Sequence, residues 1–296
     1  MAVELTTPDV DPVTAAIRVS VPERGLRQDL RAVRIVWYRE LIRFRSDRLR
    51  LVTSLVQPVL FLFVLGTGLG ALAGHGLPVG ISFKTYVYPG VLAMSVLFTA
   101  IFSAGSIVWD REFGFLREML VAPVSRSAIV IGKCLGGATV ATFQGIVILA
   151  LAGAAHVPYD PILFLTVIGE LLLLSFTLTA FGVMMAGRIK QMQAFMALTQ
   201  MLVMPLFFLS GALYPLNGLP TWLAVLTRFD PLTYIVSPMR NAVFSHLSVS
   251  PAAMSFLAPN VTWDGWQVPI GLSLGIVAIM GAALLGVAIA EFQKTE

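Results

Sequence analysis

Residues 86–126 read YVYPGVLAMSVLFTAIFSAGSIVWDREFGFLREMLVAPVSR. From Tyr86 to Ile107 the stretch carries no charge. At about 1.5 Å per residue, such a run crosses about 30 Å of hydrocarbon as a helix. It lacks the period-two alternation of a barrel strand, so a helix is the reading. Charge then arrives at once, in Asp110-Arg111-Glu112. Phe113, Leu116 and Leu120 follow at helical spacings of three and four, making one apolar face. Pro123 ends that short helix, because the residue before a proline disfavours the α region. Ser125 is placed to cap the helix that comes next. An apolar span followed by a charged, half-apolar link sets the fold class: an all-α integral membrane protein.

The rest of the chain agrees. Of 296 residues 57% are hydrophobic and only 12% are charged, and the mean hydropathy is +0.85. A soluble domain is nearer one quarter charged, so a soluble enzyme is excluded. Six segments have the length and composition of spans: about 51–72, 86–107, 134–155, 162–185, 192–213 and 268–292. Seventeen of the twenty Lys and Arg precede the first span, follow the last, or lie in the second-to-third and fourth-to-fifth links. Lys84, Arg228 and Arg240 fall on the other side. That asymmetry predicts cytoplasmic termini at both ends, and an even number of spans agrees. The first fifty residues hold ten Arg and seven acids, without the pattern of a cleaved signal peptide. Cys134 stands alone, and His75, His156 and His246 are scattered, so no disulfide or metal cluster is suggested.

Two units follow: a cytoplasmic segment at 1–50, and a six-helix domain at 51–296. Within the first, residues 26–45 form an amphipathic helix. Leu26, Leu30, Val33, Trp37, Leu41 and Phe44 share a stripe about 80° wide. Arg27, Arg31, Arg34 and Arg45 flank it, with Arg39 and Arg43 further round. Such a helix lies in the membrane interface with its arginines near anionic headgroups, and it can also meet a cytoplasmic partner. Ser46 or Asp47 is a candidate cap for the first span. Gly66, Gly68 and Gly70 suggest close packing or fraying at that span's far end. In the segment 214–267, Leu223–Leu226 and Tyr234–Phe244 have helical spacing. They read as short re-entrant helices packed against the bundle in the outer leaflet.

Catalytic chemistry is not apparent. The glycine runs lack the Gly-Lys-Ser/Thr ending of a phosphate loop, and no Ser-His-acid set assembles. Enzyme activity in this chain alone is not expected. Glu170 is an acid deep in the fourth span, about 12 Å along it from Ile162. An intramembrane carboxyl is either part of a functional path or one side of an interhelical hydrogen bond. Gln144, Thr179 and Gln200 read as interhelical glue. Met196, Met204 and Phe208 could line an adaptable apolar path, or pack against lipid or core. From physics alone, the link at 109–126 is equally a docking surface and an ordinary surface loop.

That link resembles the corresponding segment of type-2 ABC exporter permeases. Glu112, Gly114, Leu116, Leu120, Pro123-Val124-Ser125-Arg126 and Gly132-Lys133 match the pattern. A second block is similar to the same family: Phe208-Leu209-Ser210-Gly211-Ala212-Leu213-Tyr214-Pro215-Leu216, Leu219-Pro220, Trp222-Leu223, Asp230-Pro231-Leu232-Thr233-Tyr234 and Arg240. The likeness covers about residues 30–292 and is nearest the daunorubicin-resistance branch. Asp230 departs from the Asn that is common there. Asp also starts such a turn, so only a local effect is expected.

The resemblance implies a multi-pass permease of the bacterial inner membrane that exports amphipathic drugs, lipids or glycolipids. It implies pairing with a second permease copy, identical or paralogous, and docking on a cytoplasmic ABC ATPase. No cofactor is implied in this chain, since ATP and Mg would bind in the partner. Membrane lipids are expected partners, and nucleic acid is not. By resemblance, Glu112, Gly114, Leu116, Arg117, Leu120, Pro123 and Arg126 form the coupling segment, and Arg31, Arg34 and Trp37 mark the interface helix. Two other readings remain. A proton-coupled carrier would use Glu170, but no inverted repeat or broken helix is evident. A membrane anchor would only recruit a partner.

Overall fold

The computed structural model describes residues 25–73, 81–115, 119, 124–216, 219–247, 249–263 and 265–294, with backbone alone at 50, 71–73 and 251. An N-terminal helix, Leu26–Ser46, precedes six helices long and apolar enough to cross a membrane. The spans are Leu51–Gly70, Phe83–Glu112, Arg126–Leu149, Pro161–Arg188, Met192–Leu209 and Ile270–Lys294. Local chemistry sets several starts. The Ser82 side chain accepts from the Lys84 amide at 3.2 Å, and Ser125 from the Ala128 amide at 3.2 Å. Asp160 accepts from Ile162 and Leu163, with Pro161 in the first turn. Each cap satisfies amides that the helix itself cannot pair.

The third span begins at Arg126, eight residues before its expected start at Cys134. The charge of Lys133 interrupts the apolar run in sequence, whereas in the fold Lys133 is buried within the helix. Ser46 does not cap the first span, because its hydroxyl donates back to the Ile42 carbonyl at 2.9 Å. Nor is that span a regular helix. Pro58 interrupts its ladder, and Phe61–Leu65 widen into a π segment.

The core is made by the second, third and fourth spans. Their most apolar stretches are 78, 72 and 50% buried, against 17, 22 and 22% for the first, fifth and sixth. The sixth span packs on the fourth, the fifth on the second, and the N-terminal helix on the third. Polar pairs fasten these contacts. The Tyr88 hydroxyl meets the Ile148 and Leu149 carbonyls, Ser54 donates to Gln144 at 2.9 Å, and Thr142 meets Ser175 at 2.7 Å. The Thr177 hydroxyl reaches the Val277 carbonyl across to the sixth span. Each offers a buried polar atom a partner where water is absent. Gln144 thus joins helices as expected. Thr179 does not, since its buried hydroxyl has no hydrogen-bond partner, and Gln200 faces outward on the fifth span.

Positive charge segregates by end. The N-terminal helix, Arg111, Arg126, Lys133, Arg188 and Lys294 gather at one end, here the arginine-rich end. Both described termini lie there, as six spans require. The opposite end is closed by the helices Thr221–Thr227, Thr233–Ser245 and Pro251–Leu257, and by a small hairpin pairing Thr262–Trp263 with Trp266–Gln267. The first two helices follow the spacing at Leu223–Leu226 and Tyr234–Phe244. The third helix and the hairpin carried no clear sequence signal. Thr233–Ser245 is almost wholly buried. Its Arg240 lies over the Tyr86 ring, 4.5 Å from the centroid, and donates to the Gly211 and Ala212 carbonyls at 2.9 and 3.1 Å.

Asp230 starts the turn into that helix, accepting from the Leu232 amide at 2.9 Å and from the Thr233 hydroxyl. The carboxyl is 2% exposed. Burial pushes its pKa from 3.8 up to about 8 against those two hydrogen bonds. A carboxyl whose folded pKa is raised disfavours the fold once it ionises. Stability therefore falls as pH rises from about 4 to about 8. Asn keeps the acceptor without the charge. Asp230→Asn should match the parent in thermal unfolding near pH 4 and be clearly more stable near pH 8.5. A constant difference across that range would contradict the buried acid.

Candidate functional site

The most concentrated chemistry lies at the arginine-rich end, where a charged joint ties the N-terminal helix to the second and third spans. Lys133 is 3% exposed. Its ammonium donates to Glu40 at 2.8 Å, to Ser106 at 3.0 Å and to Asp110 at 2.5 Å. Asp110 also accepts from Arg39 at 2.5 Å, and Arg43 stands 3.6 Å away. Four carboxylate–cation contacts thus compensate groups that water no longer solvates. Two glycines of the third span let the N-terminal helix approach. A Cβ on Gly132 would fall 2.8 Å from the Val36 Cβ and 2.9 Å from the Val33 carbonyl oxygen, and one on Gly136 would fall 2.7 Å from the Glu40 Cβ. Asp29 accepts from the Ser125 amide at 3.0 Å and fixes the far end of the same helix.

The next dipeptide holds two other spans. The Arg111 guanidinium donates to the Ala186, Gly187 and Ile189 carbonyls at 3.0, 3.1 and 2.6 Å. It thereby satisfies and neutralises the C-terminal end of the fourth span. Glu112 accepts from the Met192 amide at 3.1 Å, at the N-terminal end of the fifth. One dipeptide therefore clamps both sides of the turn at 189–191. Arg126 does a similar service for the sixth span, donating to the Phe292 and Gln293 carbonyls. Arg188 pairs with Glu291 at 2.5 Å.

The second span ends at Glu112, and Gly114 follows with φ +84°. Its amide returns to the Arg111 carbonyl at 3.2 Å, a left-handed stop that glycine adopts without strain. Phe113 thus ends the helix of the second span, and Leu116 and Leu120 of the expected face lie outside the described residues. The Phe113 ring stacks on Trp109, 5.0 Å between centroids. Trp109, Phe113 and Phe115 are exposed there. Leu116, Arg117, Leu120 and Pro123 lie outside the described residues.

The remaining expected residues separate into three places. Arg31 and Arg34 are exposed on the N-terminal helix, while the Trp37 indole N–H donates to the Thr139 hydroxyl at 3.1 Å. That helix docks most deeply through Ala32, Val36 and Glu40; of its apolar stripe, Val33, Trp37, Leu41 and Phe44 are half-buried beside them, with the Phe44 ring edge-on to Phe143, while Leu26 and Leu30 are exposed. Glu170 faces the bundle interior at 4% exposure, with Oε2 lacking any hydrogen-bond partner. Met196 and Phe208 are 45 and 52% exposed on the fifth span, whose buried face is Phe195, Thr199, Val203 and Phe207. The fold thus does not place Glu170, Met196, Met204 and Phe208 along one path. The joint at Glu40, Asp110 and Lys133 was missed in the sequence. Its signal was a lysine two turns inside a helix that Ser125 begins.

Removing one partner of a buried ion pair leaves the other charge uncompensated. Lys133→Met should cost about 3–5 kcal/mol, because Glu40 stays buried without its cation and Asp110 keeps only its arginine partners. Adding Glu40→Gln should restore part of that loss. Thermal unfolding of the detergent-solubilised single and double variants checks the coupling, and additive effects would contradict it.

Known proteins place this arrangement. A family model described as ABC-2 type transporter matches residues 31–244. The match takes in the N-terminal helix from Arg31, the joint, the link and the short helices up to Phe244. The transport permease ycf38 of Cyanophora paradoxa is 28% identical over 75% of this chain and 79% of its own length. Nodulation protein J of Rhizobium leguminosarum bv. trifolii is 27% identical over 71% of this chain and 80% of its own. YbhR of Escherichia coli, named as a probable multidrug ABC transporter permease, is 31% identical over 52% of this chain and 42% of its own length. With six spans and a family match over most of its length, the chain belongs to the ABC-2 type transporter family and is a membrane-embedded permease.

Proposed function

We propose that the chain is the permease subunit of an ATP-driven exporter of amphipathic drugs, lipids or glycolipids. It works as a pair with a second permease copy, each docked on a separate ABC ATPase that binds ATP and Mg. The arginine-rich end and both termini face the cytoplasm of a bacterial inner membrane, in keeping with the positive-inside rule. The short helices closing the opposite end sit in the outer leaflet. The name of YbhR, a probable multidrug ABC transporter permease, favours a drug cargo, and the family match favours the ATPase partner.

One observation carries the mechanism. The link from Phe113 to Ser125 leaves the second span at the dipeptide that also grips the fourth and fifth spans. A push on the link therefore reaches three spans through hydrogen bonds at its root, and the N-terminal helix through Asp110. This suits a rigid-body switch between two states, biased by the ATPase. The exposed aromatic rings of Trp109, Phe113 and Phe115 offer the partner an apolar landing surface.

The purified chain alone should hydrolyse no ATP, and its complex with the ATPase should do so. Stoichiometric hydrolysis by the single chain would end the proposal. In the complex, Glu112→Arg removes the acceptor at the Met192 amide. It should lower transport at least tenfold while leaving basal ATP hydrolysis within about twofold. Glu112→Gln keeps an acceptor oxygen and should transport nearly normally. Equal transport by both variants would separate coupling from this contact.

Glu170 is the second point of test, as a carboxyl with one unpartnered buried oxygen. If it meets a cationic part of the cargo, Glu170→Gln should cut cation efflux and spare neutral cargo at equal membrane abundance. Unchanged cation efflux would remove Glu170 from the cargo path.

A further inference from the structure

The N-terminal helix has two distinct faces. Ala32, Val36 and Glu40 dock on the third span. The stripe of Leu26, Leu30, Val33, Trp37, Leu41 and Phe44 is centred roughly 100° further round the helix. Leu26 and Leu30 are 84 and 69% exposed, so no protein among the described residues covers the start of that stripe. Where the stripe meets the third span there is a groove of about 380 Å³, lined by Leu30, Val33, Arg34, Trp37, Leu135 and Thr139. That volume lies within the range of small-ligand sites, about 300–1,000 Å³.

We propose that this groove binds one anionic phospholipid, with an acyl chain along Leu30 and Leu135 and its phosphate at Arg34. The floor asks for hydrocarbon. Its polar atoms are already paired, the Trp37 indole with the Thr139 hydroxyl and that hydroxyl with the Leu135 carbonyl at 2.8 Å. The rim asks for negative charge. Arg27, Arg31 and Arg34 are exposed and have no ion pair among the described residues, whereas Arg39 is engaged by Asp110. The depth suits a headgroup boundary. Thr139 and Leu135 lie about 15 and 21 Å along the helix from Leu149, toward the arginine-rich end. A tryptophan with its indole tied at that level is a common interfacial anchor. A lipid seated here would bridge the N-terminal helix and the third span beside the Lys133 joint, fastening that helix from its uncovered side. The proposal depends on membrane insertion alone and stands whether or not the exported cargo is a lipid.

The test is native mass spectrometry of the full chain in detergent, titrated with phosphatidylglycerol, phosphatidylcholine or inorganic phosphate. One phosphatidylglycerol per chain should bind at least tenfold more tightly than phosphatidylcholine. Arg34→Gln should weaken phosphatidylglycerol about fivefold, the effect of one basic residue near anionic lipid, and leave phosphatidylcholine unchanged. Leu135→Trp fills the groove and should weaken both lipids. Equal affinity of the parent for the two lipids would overturn the proposal, as would an unaltered Arg34→Gln. Displacement of the lipid by millimolar inorganic phosphate would show a site for free phosphate instead. A photoactivatable phosphatidylglycerol on the unmodified chain removes dependence on variants. Its label should concentrate on residues 30–37 and 135–139, and an even spread over the spans would refute the site.

Discussion

A lysine ammonium withdrawn from water between two carboxylates is the constraint on which this end of the molecule depends. Lys133 sits two turns inside a helix that otherwise reads as membrane span, and it is buried. Alone it would be intolerable there. Glu40 from the N-terminal helix and Asp110 from the second span make it acceptable, and in doing so they bring three helices to one point. Glycines at 132 and 136 complete the arrangement by sterics, because any side chain would hold the N-terminal helix too far away for Glu40 to reach. Electrostatics and packing thus demand the same geometry, the kind of agreement that gives one arrangement an energetic lead over its rivals.

Beside this joint, the bundle solves a second problem with arginine. Helix ends expose carbonyls that need donors, and little water is available near a bilayer. Arg111 serves the fourth span and Arg126 the sixth, each from a different span or link. Capping in trans converts a local requirement into a tertiary tie. The segment from Asp110 to Arg126 therefore reaches nearly every part of the arginine-rich end, and it is also where an ATPase is proposed to push. The first, fifth and sixth spans are largely unburied within one chain.

The N-terminal helix is covered unevenly along its apolar stripe. Leu26 and Leu30 precede Ala32, the first residue that the helix buries, and both stay exposed. The buried salt bridge sets the line of deepest docking, and the stripe from Val33 to Phe44 lies half-buried beside it. Its start at Leu26 and Leu30 remains on the outside, where the proposed lipid would cover it.

The six spans, the segregation of positive charge and the amphipathic helix were all legible in residue order, because each rests on composition or on local periodicity. Ser125 as a cap and the helices at Leu223 and Tyr234 were legible for the same reason. The family resemblance was carried by two short blocks, and the family match covers the residues that hold them. Residue order could not tell which face of the N-terminal helix docks, since hydrophobic spacing marks Leu30 and only a distant lysine marks Glu40. It did not reveal that Glu112 grips the Met192 amide or that Gly114 takes φ +84° and stops the second span's helix. It began the third span at Cys134, because a lysine looks like a boundary until its two carboxylates are known. Contacts between residues some seventy to ninety positions apart, such as Arg39–Asp110 and Glu40–Lys133, decided those points. A charge has no fixed place in a membrane protein until the fold supplies its partner.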